Sequence, residues 1–177
     1  VTLVTSGSVD TSTIGSYTLT YTATDAAGNF AFATRVVTVV DTTAPVVTLN
    51  GAAKRVWELG GSYTELGASA TDLSGTIDVI ISGTVSTTTL GDYVLVYTAT
   101  DASGNAGTAT RTVLVRDTTA PVVTLNGGAN SNLELGGSYN ELGATSTDYT
   151  GEYSIVVSGS VDTSVVGPYT LTYTSVD

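Results

Sequence analysis

The chain has 177 residues, with 16 acidic against 5 basic side chains and a formal net charge of −11, and it contains no Cys, Met or His. Without His or Cys there is no imidazole base, no Ser-His or Cys-His nucleophile pair, no zinc or haem site of the usual ligand types and no disulfide. An acidic chain with a single lysine lacks the cations that neutralise phosphates, so neither nucleic acid nor an anionic membrane surface is an expected partner.

From the N-terminus, the first strong signal is period-two alternation in Tyr17-Thr18-Leu19-Thr20-Tyr21-Thr22-Ala23-Thr24, which puts Tyr17, Leu19, Tyr21 and Ala23 on one face, the expected core face. The run Asp41-Thr42-Thr43-Ala44-Pro45 follows. Proline cannot donate to a sheet ladder and pushes the residue before it into extended conformations, so this run reads as a linker. Beyond it, strands are predicted over residues 46–49, 55–59, 68–71 and 77–82, with a short one over 85–88. The turn formers of Asp101-Ala102-Ser103-Gly104-Asn105 then join an alternating strand to the β-branched stretch Thr110-Arg111-Thr112-Val113-Leu114-Val115. No helical period appears, no apolar run approaches the ~18 to 20 residues of a membrane span, and no stretch reads as a signal peptide. Short strands every 8 to 12 residues between Gly-rich turns predict an all-β sandwich.

A single offset of 76 organises the whole chain. It relates Asp25, Asp101 and Asp177, then Gly15, Gly91 and Gly167, and the run at 41–45 to Asp117-Thr118-Thr119-Ala120-Pro121. Setting residues 41–101 on 117–177 gives 35 identities in 61 positions, so the chain is a tandem array of one unit. With boundaries at the proline linkers, residues 1–40 are the C-terminal part of a repeat, 41–116 a complete repeat, and 117–177 a repeat lacking its last strand. Val1 aligns with mid-strand Ile77, so the chain is expected to be a window on a longer array. The alternative is that the broken ends complete one another between chains by strand donation.

The segment Gly91-Asp92-Tyr93-Val94-Leu95-Val96-Tyr97-Thr98-Ala99-Thr100-Asp101-Ala102-Ser103-Gly104-Asn105, followed by Arg111-Thr112-Val113, resembles the bacterial immunoglobulin-like repeats of secreted and surface proteins. The type is similar to the domain of an insecticidal crystal protein that also occurs in adhesins. The resemblance implies an immunoglobulin-like β-sandwich, a tyrosine corner at Tyr17, Tyr93 and Tyr169, and a role as stalk, spacer or binding module. It departs at the loop after the second strand, where Asp72-Leu73-Ser74-Gly75-Thr76 and Asp148-Tyr149-Thr150-Gly151-Glu152 replace an acidic Asp-Gly-Asp-type loop.

Candidate chemistry is sparse. Glu58 and Glu65, repeated as Glu134 and Glu141, could form a glycosidase carboxylate pair, but a catalytic pair recurring in every repeat is less expected than edge and turn carboxylates. Trp57, the only tryptophan, could stack on a sugar with Tyr63; its repeat equivalent is Leu133, which keeps apolarity and loses stacking geometry, so a core role is expected. Arg35 and Arg111 share the parity of core-facing valines, which predicts a salt bridge to a carboxylate. Lys54 and Arg55 become Asn130 and Ser131, so contacts they make do not belong to the repeat, and a recurring Lys-Asn isopeptide crosslink is excluded. No Asn-x-Ser/Thr sequon occurs.

The one metal expectation is calcium at the repeat junctions. An end-to-end array needs an odd number of strand traverses, so the linker, the loop after the second strand and the last hairpin share one pole. They carry Asp41, Asp72, and Asp101 with Asn105, and one period later Asp117, Asp148 and Asp177. Such hard oxygen ligands suit Ca²⁺; local Asx-turns are the alternative account of each aspartate. The expected function is therefore a non-enzymatic stalk, spacer or filament body outside the cell. Its partners would be neighbouring repeats or other copies of the chain, and the alternative is an adhesion module that binds carbohydrate or protein through its pole loops.

Overall fold

The computed structural model describes residues 1–73 and 75–176, and among them every regular element is a strand; no helix is long and apolar enough to cross a membrane. Residues 1–40 form one antiparallel sheet of β1 (Thr2–Ser6), β2 (Gly15–Thr24) and β3 (Phe30–Val39). Its long hairpin pairs Gly15 with Val39 through to Thr24 with Phe30. Tyr17, Leu19, Tyr21 and Ala23 are half-buried on β2, whereas Phe30, Phe32 and Val36 on β3 are exposed.

The next stretch contains β4 (Val46–Leu49), β5 (Lys54–Glu58), β6 (Ala68–Asp72), β7 (Gly75–Ile77), β8 (Val79–Ser82), β9 (Gly91–Thr100) and β10 (Ala106–Arg116). These make two sheets, one ordered β4-β6-β7 and one ordered β5-β10-β9-β8. The expected strand over 77–82 is thus divided at Asp78, with its first residue in one sheet and the remainder in the other. The short strand expected over 85–88 does not form. The Thr87 carbonyl accepts from the Gly60 N–H at 2.7 Å, and Val85 instead packs singly against the core. β5 runs parallel to β10, Lys54 opposite Thr112 and Glu58 opposite Arg116.

The third stretch contributes β11 (Val122–Leu125), β12 (Ala144–Asp148) and β13 (Gly151–Glu152) in one sheet and β14 (Ile155–Ser158) with β15 (Thr172–Ser175) in another.

Two compact units divide the chain. One combines Val1–Asn50, Gly67–Ile81 and Val96–Ala109; the other combines Gly51–Leu66, Ser82–Leu95 and the chain from Thr110 onward. In the first, Tyr97, Ala99 and Ala70 are buried. In the second, Leu59, Val113 and Val115 form a core against which Trp57, Tyr63, Val85 and Tyr93 pack. Arg111, on the same face of β10 as these valines, has no exposed surface and forms an ion pair with Glu65, the carboxylate its parity called for; its Nε also donates to the Ala52 carbonyl at 3.2 Å. Arg35 instead lies 5.8 Å from the centre of the Tyr21 ring.

Candidate functional site

Asp41 sits in the proline linker, where its Oδ1 accepts from the Thr43 N–H at 3.0 Å. Asp72 ends β6, and Asp101 opens the tight connection between β9 and β10. Asp101 is only 7% exposed. Its two oxygens accept from the backbone N–H and the side-chain Nδ2 of Asn105, each at 2.8 Å, and that Nδ2 also donates to the Asp41 carbonyl at 3.2 Å. Burial is the largest single influence and pushes the Asp101 carboxyl up, but the hydrogen bonds from Asn105, joined by those from the Ser103 and Gly104 backbone, together hold the group below the usual carboxylate range. Residues that lie 31 and 29 positions apart in sequence thus converge, and Asp41, Asp72 and Asp101 each present an oxygen within 4.8 Å of the others.

One oxygen of these three carboxylates is unusual. Oδ2 of Asp72 is closed off from solvent and has no hydrogen-bond partner. One period later Oδ2 of Asp148 is in the same condition, while its Oδ1 accepts from the Tyr149 N–H at 2.6 Å. Asp117 accepts from the Thr119 N–H at 3.4 Å, repeating the linker turn of Asp41. Asp177 lies outside the described residues, so the three-carboxylate group is seen, among those described, at Asp41, Asp72 and Asp101.

The other candidates are engaged in packing or in local bonds. Glu65 takes Arg111 and the Tyr63 hydroxyl. Trp57 meets Tyr63 edge-on, with ring centres 5.2 Å apart, and Arg55 lies 4.9 Å over its ring, so the indole is spent within the repeat. A groove of about 620 Å³ in residues 125–173 is lined by Leu133, Leu135, Tyr139, Glu141, Leu171 and Tyr173. Their equivalents in the complete repeat are Trp57, Leu59, Tyr63, Glu65, Leu95 and Tyr97; of these, Trp57, Leu59 and Tyr63 pack with Val113 and Val115 of β10, and Glu65 pairs with Arg111.

Sequence reasoning missed the use of Glu58. Its carboxylate accepts from the Thr118 N–H at 3.1 Å, the Thr119 hydroxyl at 2.9 Å and the Thr118 hydroxyl, which fastens the second linker to β5. These bonds, the Thr118 hydroxyl foremost, hold the carboxyl below its ordinary range. The available signal was that Glu58 and the linker threonines recur with the same period.

Comparison with known proteins places these features in context. The family model described as "Bacterial surface protein, Ig-like domain" matches residues 1–39, 47–115 and 123–177. Hyalin of Strongylocentrotus purpuratus is 38% identical over an alignment 166 residues long, which covers 81% of this chain and 13% of hyalin. Among solved structures, a lipoprotein of Bacteroides thetaiotaomicron is similar at 30% identity and a TM-score of 0.39, covering 64% of this chain and 55% of the lipoprotein. A structure of CBM51-2 with GlcNAc and INT domains of Clostridium perfringens ZmpB is 20% identical with a TM-score of 0.35, covering 66% of this chain and 29% of that one.

Proposed function

The chain belongs to the Ig-like domain family of bacterial surface proteins, and on that premise we propose that it is a non-catalytic stalk or spacer segment displayed outside the cell. The observation that carries this reading is the Glu58 clamp. A linker that only joined two independent modules would be free to swing, whereas here three hydrogen-bond donors of Thr118 and Thr119 converge on one carboxylate of β5. Proline at the end of each linker removes further backbone freedom. Such restraint is of use where the delivered quantity is distance between a surface and whatever the full protein presents. The alternative of a binding module draws support from the loop tips, where Leu73 and Tyr149 are exposed and differ between repeats.

The test is small-angle scattering of the chain and of Glu58→Ala. Under the spacer reading, wild type gives a narrow distribution of maximum dimension, and Glu58→Ala broadens it without lowering strand content. Overlapping distributions for the two proteins, or saturable binding of a glycan array by the chain, would overturn it.

A further inference from the structure

We infer that Asp41, Asp72 and Asp101 hold a calcium ion where the proline linker meets the 101–105 connection. The three carboxylates offer oxygens within 4.8 Å of one another. The ion pairs Arg111–Glu65 and Arg116–Asp92 involve none of them, so no salt bridge among the described residues offsets their mutual repulsion.

The second observation is independent of the clustering. Asx-type bonds account for Asp41 and Asp101, but Oδ2 of Asp72 is sealed from solvent without a donor, a costly state for a carboxylate oxygen. A cation is the partner that satisfies it. The same atom of Asp148, 76 residues on, shows the same orphaned condition, so the feature belongs to the repeat. The hydrogen bonds of Asn105 fix Asp101 in place, and a carboxylate oxygen has a second lone pair beside the one that Asn105 Nδ2 engages on Oδ2.

Calcium is favoured by its tolerant geometry and by the donor set. Oxygens bound to one Ca²⁺ at about 2.3–2.6 Å can stand as much as about 5 Å apart, and the three oxygens, within 4.8 Å of one another, fall inside that reach. Mg²⁺ demands near-ideal octahedral geometry and keeps several of its waters, so three carboxylates on one ion suit calcium better. The donors are all hard oxygens, and the chain has no His, Cys or Met to recruit a softer metal. Backbone carbonyls and water would complete the six to eight oxygens that calcium takes, as is usual for it. Bound there, the ion ties the linker to the end of β6 and to the start of the β9–β10 connection.

The experiment is calorimetric titration of the chelator-stripped chain with CaCl₂ and, separately, MgCl₂, joined to thermal melts. An Asp148→Asn background removes the repeat-equivalent oxygen, so that one site reports. Expected are saturable calcium binding with Kd of about 10⁻⁴–10⁻³ M, a higher melting temperature in calcium and no saturable heat from magnesium. Adding Asp72→Asn should weaken calcium binding at least about tenfold by removing a ligand charge, yet raise the melting temperature in chelator by removing a buried unsatisfied charge. A purely structural Asp72 would instead lower both melts alike. If that variant fails to fold, Asp41→Asn on the linker must show the same loss of affinity. Coincident melts with no calcium heat, undiminished binding in these variants, or equal saturation by magnesium would overturn the assignment. The spacer reading rests on Glu58 and stands or falls separately.

Discussion

Tyr17, Tyr93 and Tyr169, one period apart, each donate a hydroxyl to the carbonyl four residues earlier, at 2.8, 2.8 and 2.9 Å. Each bond closes the turn that launches its strand, which is the tyrosine corner that the resemblance implied. Tyr93→Phe should destabilise the chain by about 1–2 kcal/mol in a denaturant melt, because the Thr89 carbonyl loses its donor while the ring keeps its packing. A melt superimposable on wild type would deny the corner any energetic role. Arg111 is the stronger case. Its parity with the core valines announced a buried cation, but Glu65 could not be named from sequence, because it lies 46 residues away in irregular chain before β6. Arg111→Met should cost about 3–5 kcal/mol, since it strands the Glu65 carboxylate, and Arg111→Met with Glu65→Gln should recover much of that loss. Additive losses in the double variant would show that the pair is not coupled.

At the scale of elements, the alternating strands were legible because each buries one face only; Leu95, Tyr97 and Ala99 are buried on β9 while Val94 and Thr100 are exposed. The division at Asp78 was not legible, since Ile77 and Val79–Ser82 read as one β-branched run and only the tertiary ladder shows that they serve different sheets. The segment 85–88 was misread because its threonines carry strand propensity, whereas its backbone is committed to Gly60. The glycine before it was informative. Gly83 has φ +98°, and a Cβ there would run into the Val94 carbonyl oxygen; Gly7 and Gly159 repeat the arrangement against Thr18 and Thr170. Gly83→Ala therefore meets backbone strain and a collision together and should cost about 1–3 kcal/mol by chemical denaturation. An unaltered midpoint would mean that β8 and β9 can separate at no cost, which the close approach of the two backbones argues against.

At the scale of the molecule, the net charge of −11 and the hydrogen-bonded carboxylates oppose each other as the pH falls. Protonation relieves general repulsion, yet Asp10, Asp25, Glu58, Asp101, Glu141 and Asp162 all have their carboxyl groups held below the ordinary values of 3.8 for Asp and 4.5 for Glu. Apart from Asp101, where burial acts first in the other direction, the leading cause is a hydrogen bond from a neighbouring side chain. A depressed folded value means that the unfolded chain takes up protons first. Stability from these groups is thus complete above the ordinary values and is lost as the pH drops through the folded ones. Alkali acts on a different pair. The hydroxyl of Tyr173 is pushed up to about 12, and that of Tyr139 is raised as well, chiefly because each donates to Glu141. The unfolded tyrosines ionise near 10.0, so their contribution is intact below that pH and disappears as the pH climbs towards about 12. The expected result is a melting temperature that is level between these limits, falls below pH 4.5 on the acid side, and falls again above pH 10.0. Glu141→Gln should blunt the alkaline fall selectively, since it removes the acceptor that keeps both tyrosines protonated, and leave most of the acid fall, which five other carboxylates carry. A melting temperature that rose on acidification through pH 4.5 would show that relief of repulsion outweighs the loss of these hydrogen bonds, and the carboxylate contacts would then be incidental to the fold.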